Sequence, residues 1–322
     1  MFVTLCLNPT IQKTLCFDKI SRGEVNRASR NFTDASGKGI NASRVLAQLG
    51  KQVLHVTQLS KQDKLWFEAE LEKQAIKLLA IETAAKARTC TTLIEENSLE
   101  SGVISRCVTE LVESGNKVEP ETEAALLKAF DALLDGGGEL HQIDSLIISG
   151  SKAPGFRDSL FAKIALKAHA HNVPVVLDIR GADLKALLGA LRAAPLKACE
   201  APLVIKPNAQ ELKETFFEVQ AEAMAENQIN DCIAKLYSEY GVQSVITRGK
   251  DSTLAFDGKK LLNINSESIP QEKVLNTIGC GDAFTAGFAA ALADGSGFEA
   301  AVRQGIKCAA LNARTIQPGS IK

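Results

Sequence analysis

The segment Asn276-Thr277-Ile278-Gly279-Cys280-Gly281-Asp282-Ala283-Phe284 joins two positions without side chains to an acid at the start of an apolar run. Phe284, Phe288 and Leu292 fall on one face at helical spacing, so the run predicts a helix that opens at the glycines. The first-turn amides of a helix have no partner inside it and point outward beside the positive end of the dipole. Without side chains at Gly279 and Gly281, Gly279-Cys280-Gly281 reads as an oxyanion or phosphate cradle that an anion can approach closely. Asp282 then stands where a carboxylate could take the proton of an attacking hydroxyl. Helix capping or dipole stabilisation accounts for the same acid equally well.

A second glycine-rich entry, Ala35-Ser36-Gly37-Lys38-Gly39-Ile40-Asn41, opens a helix expected to run to Leu49. It fits the dinucleotide pattern G-x-G-x-x-A in form only. Arg30-Asn31-Phe32-Thr33-Asp34 before it is not a buried strand, and no ribose-binding acid follows at the usual distance. Lys38 beside Asn41 suits a polyhydroxylated or phosphorylated ligand, or else a solvated lysine at a helix start. In Lys206-Pro207-Asn208-Ala209-Gln210-Glu211-Leu212 the proline ends a strand and Asn208 caps the next helix. Asn208 and Glu211 have capping-box spacing, which explains them locally. The alternative is that both order the waters of a magnesium ion, which prefers oxygen and keeps most of its hydration.

Other chemistries find less support. Of the four histidines, His169 and His171 face different directions on one helix, while His55 sits in an apolar strand and His141 in a loop. No Ser-His-Asp spacing emerges. The eight cysteines form no C-x-x-C pair, and Cys280 has no adjacent histidine, so reduced structural thiols are expected. Thirty-seven basic against thirty-eight acidic residues give a net charge of −1, with no global attraction to nucleic acid or acidic membranes. No apolar run approaches a bilayer span, and Met1–Leu5 lacks a leader's basic n-region, so a cytoplasmic location is expected.

These residues need a scaffold, and the pattern changes character near residue 120. Before it, β-rich runs dominate: Phe2–Leu7, Thr14–Phe17, Val53–Leu59, Lys77–Glu82, Thr89–Glu95 and Ser105–Val112, interrupted by helices at Asn41–Leu49 and Asp63–Gln74. Beyond it come helices at Pro120–Asp135 and Ser159–His171, and short apolar strands at Leu146–Ile148, Val173–Ile179, Leu203–Lys206 and Ser244–Thr247. Such alternation predicts an α/β fold with right-handed crossovers: a three-layer α/β/α, doubly wound, mostly parallel sheet with a small β-rich extension. Ligands of such sheets sit beyond the C-terminal strand ends, here at Ser149-Gly150-Ser151, Asp178, Lys206-Pro207-Asn208 and Thr247-Arg248-Gly249-Lys250.

Together the segments resemble the ribokinase/PfkB carbohydrate kinases, specifically the 1-phosphofructokinase and tagatose-6-phosphate kinase branch. The matching segments, in family order, are Leu7-Asn8-Pro9, Gly37-Lys38-Gly39-Ile40-Asn41, Arg88-Thr89-Cys90, Thr109-Glu110-Leu111, Ser149-Gly150-Ser151, Lys206-Pro207-Asn208 with Glu211, Thr247-x-Gly249-Lys250 and Gly279-x-Gly281-Asp282. The resemblance implies a single ribokinase-like domain over 1–322. A β-sheet lid would come from segments within 10–33 and 88–117, shared in a homodimer. It implies ATP and Mg²⁺ as cofactors, Asp282 as general base, and the Gly279, Cys280 and Gly281 amides around the moving phosphoryl group. Asn208 and Glu211 would organise the metal through water. Thr247 and Gly249 would lie along the nucleotide, with Asn312 near the adenine. Gln12, Gly37, Lys38, Asn41 and Arg88 would hold the phosphorylated sugar, with Arg27 a contribution from the lid. Positioning and charge neutralisation are what phosphoryl transfer requires.

The chain also departs from the family pattern. Gln12 stands where the branch usually has an acid that holds sugar hydroxyls, and glutamine adds a donor. Ser36 replaces a glycine, Cys280 an alanine and Lys152 an apolar residue; Arg180 follows Ile179 where small hydroxyl residues are frequent. Asn276 replaces the aspartate of relatives activated by monovalent cations. The expected activity is phosphorylation of a ketohexose phosphate: fructose 1-phosphate first, tagatose 6-phosphate second. Gln12 and Arg180 motivate a non-catalytic sugar-binding protein as a rival, and the loop at Gly37 a nicotinamide-dependent oxidoreductase.

Overall fold

The computed structural model describes residues 1–98, 104–136, 142–196, 201–216 and 224–322. The expectations for His141 and Cys199 lie outside them. The short apolar runs become strands with no exposed face: β1 (Phe2–Leu5), β4 (Val53–Leu59), β8 (Ser145–Ser149), β9 (Val175–Asp178) and β10 (Leu203–Ile205). β5 (Ile76–Glu82), β11 (Gln243–Thr247), β12 (Ser252–Phe256) and β13 (Leu261–Asn265) complete a sheet ordered β13-β12-β11-β10-β9-β8-β1-β4-β5. All its pairings are parallel except β11–β12 and β12–β13. Winding starts at β1 and proceeds to β4 and β5 on one side and β8 to β11 on the other. The switch point therefore lies between β1 and β8.

Alternate strand residues feed two cores. Phe2, Ile147, Val176, Val204 and Val245 pack on one face, against α1 (Lys38–Gln48), α2 (Lys61–Glu72), α8 (Cys280–Ala293) and α9 (Phe298–Asn312). Val3, Leu146, Val175, Leu203 and Ile246 pack on the other, against α3 (Pro120–Leu134), α4 (Ser159–Ala170), α5 (Gly181–Ala193), α6 (Ala209–Phe216) and α7 (Glu226–Tyr240). Apolar helix stripes on both faces of a doubly buried sheet leave an α/β/α sandwich as the packing solution. Local chemistry sets the helix starts: Ser60 Oγ accepts from Asp63 N at 3.2 Å ahead of α2, and Pro120 opens α3 above Glu121 and Glu123. His55 is fully buried with Nδ1 2.8 Å from Thr4 Oγ1, and burial holds its pKa down at about 3.

β2 (Thr10–Phe17), β3 (Arg30–Ser36), β6 (Arg88–Ser98) and β7 (Ile104–Val112) form a separate four-stranded sheet in the order β3-β2-β6-β7. β2 starts four residues early, because Thr10–Lys13 pair with both Asp34-side and Arg88-side neighbours. Arg30–Asp34 is no buried strand, in line with expectation: it belongs to the exposed edge strand β3.

Candidate active site

α8 begins after Gly279, whose φ of 85° is left-handed backbone. A Cβ there would sit 2.6 Å from Gly319 N, so only glycine lets the C-terminal loop close on this turn. Cys280 N already bonds Thr277 O at 3.3 Å and Ala283 N bonds Gly279 O at 2.8 Å. Among the described residues, Gly281 N and Asp282 N have no partner, as an anion cradle requires. Asp282 beside them is 5% exposed, and its Oδ2 accepts from Asn41 Nδ2 at 2.8 Å. Burial raises its pKa to about 7 against the opposing pull of Lys38.

Two strand ends and the start of α1 supply the charges opposite. Asp178 closes β9 and is buried, with Oδ2 3.5 Å from Lys38 Nζ and Oδ1 3.3 Å from Lys206 Nζ; Ser149 Oγ donates to it at 3.2 Å. Burial works against its charge, but Lys206 and Lys38 outweigh burial and hold its pKa below the ordinary value. Lys206 is 2% exposed, and its ammonium stands 3.9 Å from the point where a side chain on Gly281 would begin. Lys38 heads α1, also faces Glu211 Oε1 at 3.4 Å, and is pushed well above the ordinary lysine range, first by Asp178.

Asn208 and Glu211 form the complete capping box: Glu211 N donates to Asn208 Oδ1 (2.8 Å) and Asn208 N to Glu211 Oε2 (3.0 Å). Asn208 also bridges Thr247 at the end of β11, so the two segments expected to face the nucleotide meet here, with Gly249 in the following turn. No group of three or more His, Cys, Asp or Glu able to hold a metal occurs among the described residues. Asn208, Glu211 and Asp178 nevertheless make an all-oxygen set in which the key oxygens already have a protein partner. That fits outer-sphere contact with a hydrated magnesium ion rather than a cage of direct ligands.

On the small sheet, Arg88 Nε donates to Thr10 Oγ1 (3.2 Å) and Nη1 to Glu113 O (3.2 Å). Gln12 Nε2 donates to Thr92 Oγ1 (2.8 Å) and Lys13 O (3.3 Å). Its donor side is spent, so the amide has only its acceptor to offer, as an acid would. Gly37 caps α1 beneath this sheet.

Two expected site residues are not brought in. Asn312 is fully buried and donates to Ile278 O (2.9 Å) while accepting from Gly319 N (2.7 Å), so it shapes the cradle turn rather than facing a ligand. Arg27 lies in the exposed connection beyond Phe17, about 25 Å of strand from Thr10.

Residues 5–321 match the profile described as pfkB family carbohydrate kinase. The chain belongs to the pfkB family. It is a sugar kinase, a phosphotransferase that uses ATP. Its fold resembles Escherichia coli phosphofructokinase-2 in complex with potassium (TM-score 0.78, 19% identity, covering 98% of this chain and 93% of that one). A possible 1-phosphofructokinase of Thermotoga maritima gives 0.78 at 18% identity, covering 98% and 92%. Arabidopsis thaliana ribokinase with ribose and ATP gives 0.67 at 19%, covering 99% and 94%. No described helix of this pfkB kinase is long and apolar enough to cross a membrane.

Asp178 and Lys206 are expected from the sequence among the ligand-facing strand ends, without a role of their own, and nothing in the sequence singles out Arg44. A signal existed for two of them: a charged residue ending an otherwise apolar strand, as in Val175-Val176-Leu177-Asp178 and Leu203-Val204-Ile205-Lys206, is costly unless paired. Arg44, in the middle of α1, carries no such signal.

Proposed function

We propose that this pfkB kinase phosphorylates a ketohexose phosphate, with D-fructose 1-phosphate, converted to fructose 1,6-bisphosphate, as the preferred substrate. The observation that carries the reading is the gathering, around the start of α8, of one raised carboxylate, two amides unpartnered among the described residues and two lysines that share Asp178. Asp282 takes the proton of the 6-hydroxyl as its oxygen attacks the γ-phosphorus. The Gly281 and Asp282 amides, with Lys206 and Lys38, neutralise charge on the transferring group, which is the main requirement of phosphoryl transfer. Asn208 and Glu211 would hold hydrated Mg²⁺, which supplies charge neutralisation on the triphosphate.

Arg88 and Lys38 supply cations on the sugar side, which suits a substrate that already carries a phosphate. The test is ADP release on a panel of fructose 1-phosphate, fructose 6-phosphate, tagatose 6-phosphate and free ketohexoses. Arg88→Ala is expected to raise KM at least tenfold for the phosphorylated sugar and less than twofold for a free one. Equal losses on both would remove the phosphate grip.

The small sheet acts as a lid shared between two copies, each sending Arg27 to the other's site. Its distance from its own site and the exposed Val25, Phe32 and Leu111 support this. Arg27→Ala and Asp282→Asn chains, each impaired alone, should regain activity on mixing through hybrid dimers. A monomer in sedimentation, or no recovery, ends that arrangement.

A further inference from the structure

The largest fully buried side chain among the described residues belongs to Arg44, a cation with no carboxylate in contact with it. Its Nε donates to Gln74 Oε1 (2.6 Å), its Nη2 to Ala35 O (2.8 Å), and its Nη1 to Pro318 O and Asn41 Oδ1 (3.3 Å). Those acceptors come from the end of α2, the root of the small sheet, the C-terminal loop and α1. Ser36 Oγ donates to the same Asn41 Oδ1 at 2.9 Å. The other end of that amide, Nδ2, donates to Asp282 Oδ2 at 2.8 Å.

An asparagine amide can sit either way round, and only one way presents a donor to a carboxylate. Turned over, Asn41 would press its oxygen against Asp282 and its NH₂ against Arg44. A serine hydroxyl can rotate and become the acceptor, so Ser36 would tolerate the reversal. A guanidinium has no acceptor and never loses its proton, and three further bonds keep this one from moving aside. Gly319 also packs closely on Asn41, a Cβ there falling 2.5 Å from Asn41 Cα.

We infer that Arg44 is a positioning residue for phosphoryl transfer: it fixes the polarity of the Asn41 amide, which aims the Asp282 carboxylate at the substrate hydroxyl. Asn41 is thereby engaged with the base rather than held free for the sugar phosphate. The inference rests on the proposed part of Asp282 in catalysis, while its structural half can be read without turnover.

The test compares Arg44→Lys, which keeps a buried positive charge, with Ser36→Ala, a mild deletion of the other donor. Side-chain amide NMR of Asn41, assigned by its loss in Asn41→Ala, reports how firmly its NH₂ group is hydrogen-bonded. The resonance should be protected from solvent exchange in the wild type and in Ser36→Ala, and lose at least tenfold protection in Arg44→Lys. In the kinase assay, Arg44→Lys should lower kcat at least twentyfold with the KM for ATP within threefold, against less than fivefold for Ser36→Ala. Protection lost equally in both variants, or Arg44→Lys retaining more than a third of wild-type kcat, would overturn the inference. An amide that behaves as expected in a chain with no turnover on any sugar phosphate would instead count against the kinase substrate reading alone.

Discussion

Asp282→Asn should lower kcat roughly a thousandfold while leaving the affinity for ATP within a few-fold of wild type. The carboxamide keeps the shape and can still accept from Asn41 Nδ2, so the fold has no reason to change. What it loses is the ability to take a proton from the attacking hydroxyl. The wild-type pH profile carries the same information. With Asp282 raised to about 7 by burial, the base is protonated below that pH and ionised above it. Activity should therefore rise with pH through an acidic limb near 7 and be lost as pH falls. Steady-state rates with saturating ATP check both points. A variant that keeps more than a tenth of the wild-type rate, or an acidic limb near 4, would mean that another group is the base.

Lys206→Met should cost at least a hundredfold in kcat, because removal of one preorganised charge from a dry phosphoryl site is worth about two to three powers of ten. It should also destabilise the fold by about 3 kcal/mol, since Asp178 loses one of its two cations and is left as a buried, under-compensated charge. The two losses can be separated. Adding Asp178→Asn removes the orphaned charge and should restore most of the melting temperature without restoring turnover. If the double variant regains activity, Lys206 serves only the stability of Asp178. Lys38 is the less sensitive of the pair to examine, because its side chain is 43% exposed and part of its interaction is screened by water.

The network explains why the protein tolerates so much charge in its interior. Lys206, Asp178, Lys38 and Glu211 are joined in that order by ion pairs, and Asp282 and Arg44 are connected through one amide. Each buried polar group is costly alone and acceptable as part of a satisfied set. The cluster lies beside the switch point of the sheet, at the ends of β8, β9 and β10, where the N-termini of α1 and α8 add their dipoles.

The cradle at Gly279–Asp282, the start of α1 at Gly37-Lys38 and the Asn208/Glu211 cap were readable because a helix terminus is a local object, built from residues within a turn of one another. The α/β/α layering was readable for a similar reason: burial on two faces leaves continuous apolar runs, and burial on one leaves a helical stripe. Exposed β3 and the β12–β13 hairpin left no such trace. Strand order, the pairing of Lys38 with an aspartate 140 residues away, the meeting of Asn41 and Asp282 across 241 residues, and the contact of Arg44 with Pro318 across 274 were decided only in the tertiary structure. Periodicity records which face a residue turns inward, but not which distant residue it meets there; that is settled when the layers close and every buried donor and charge must find its partner.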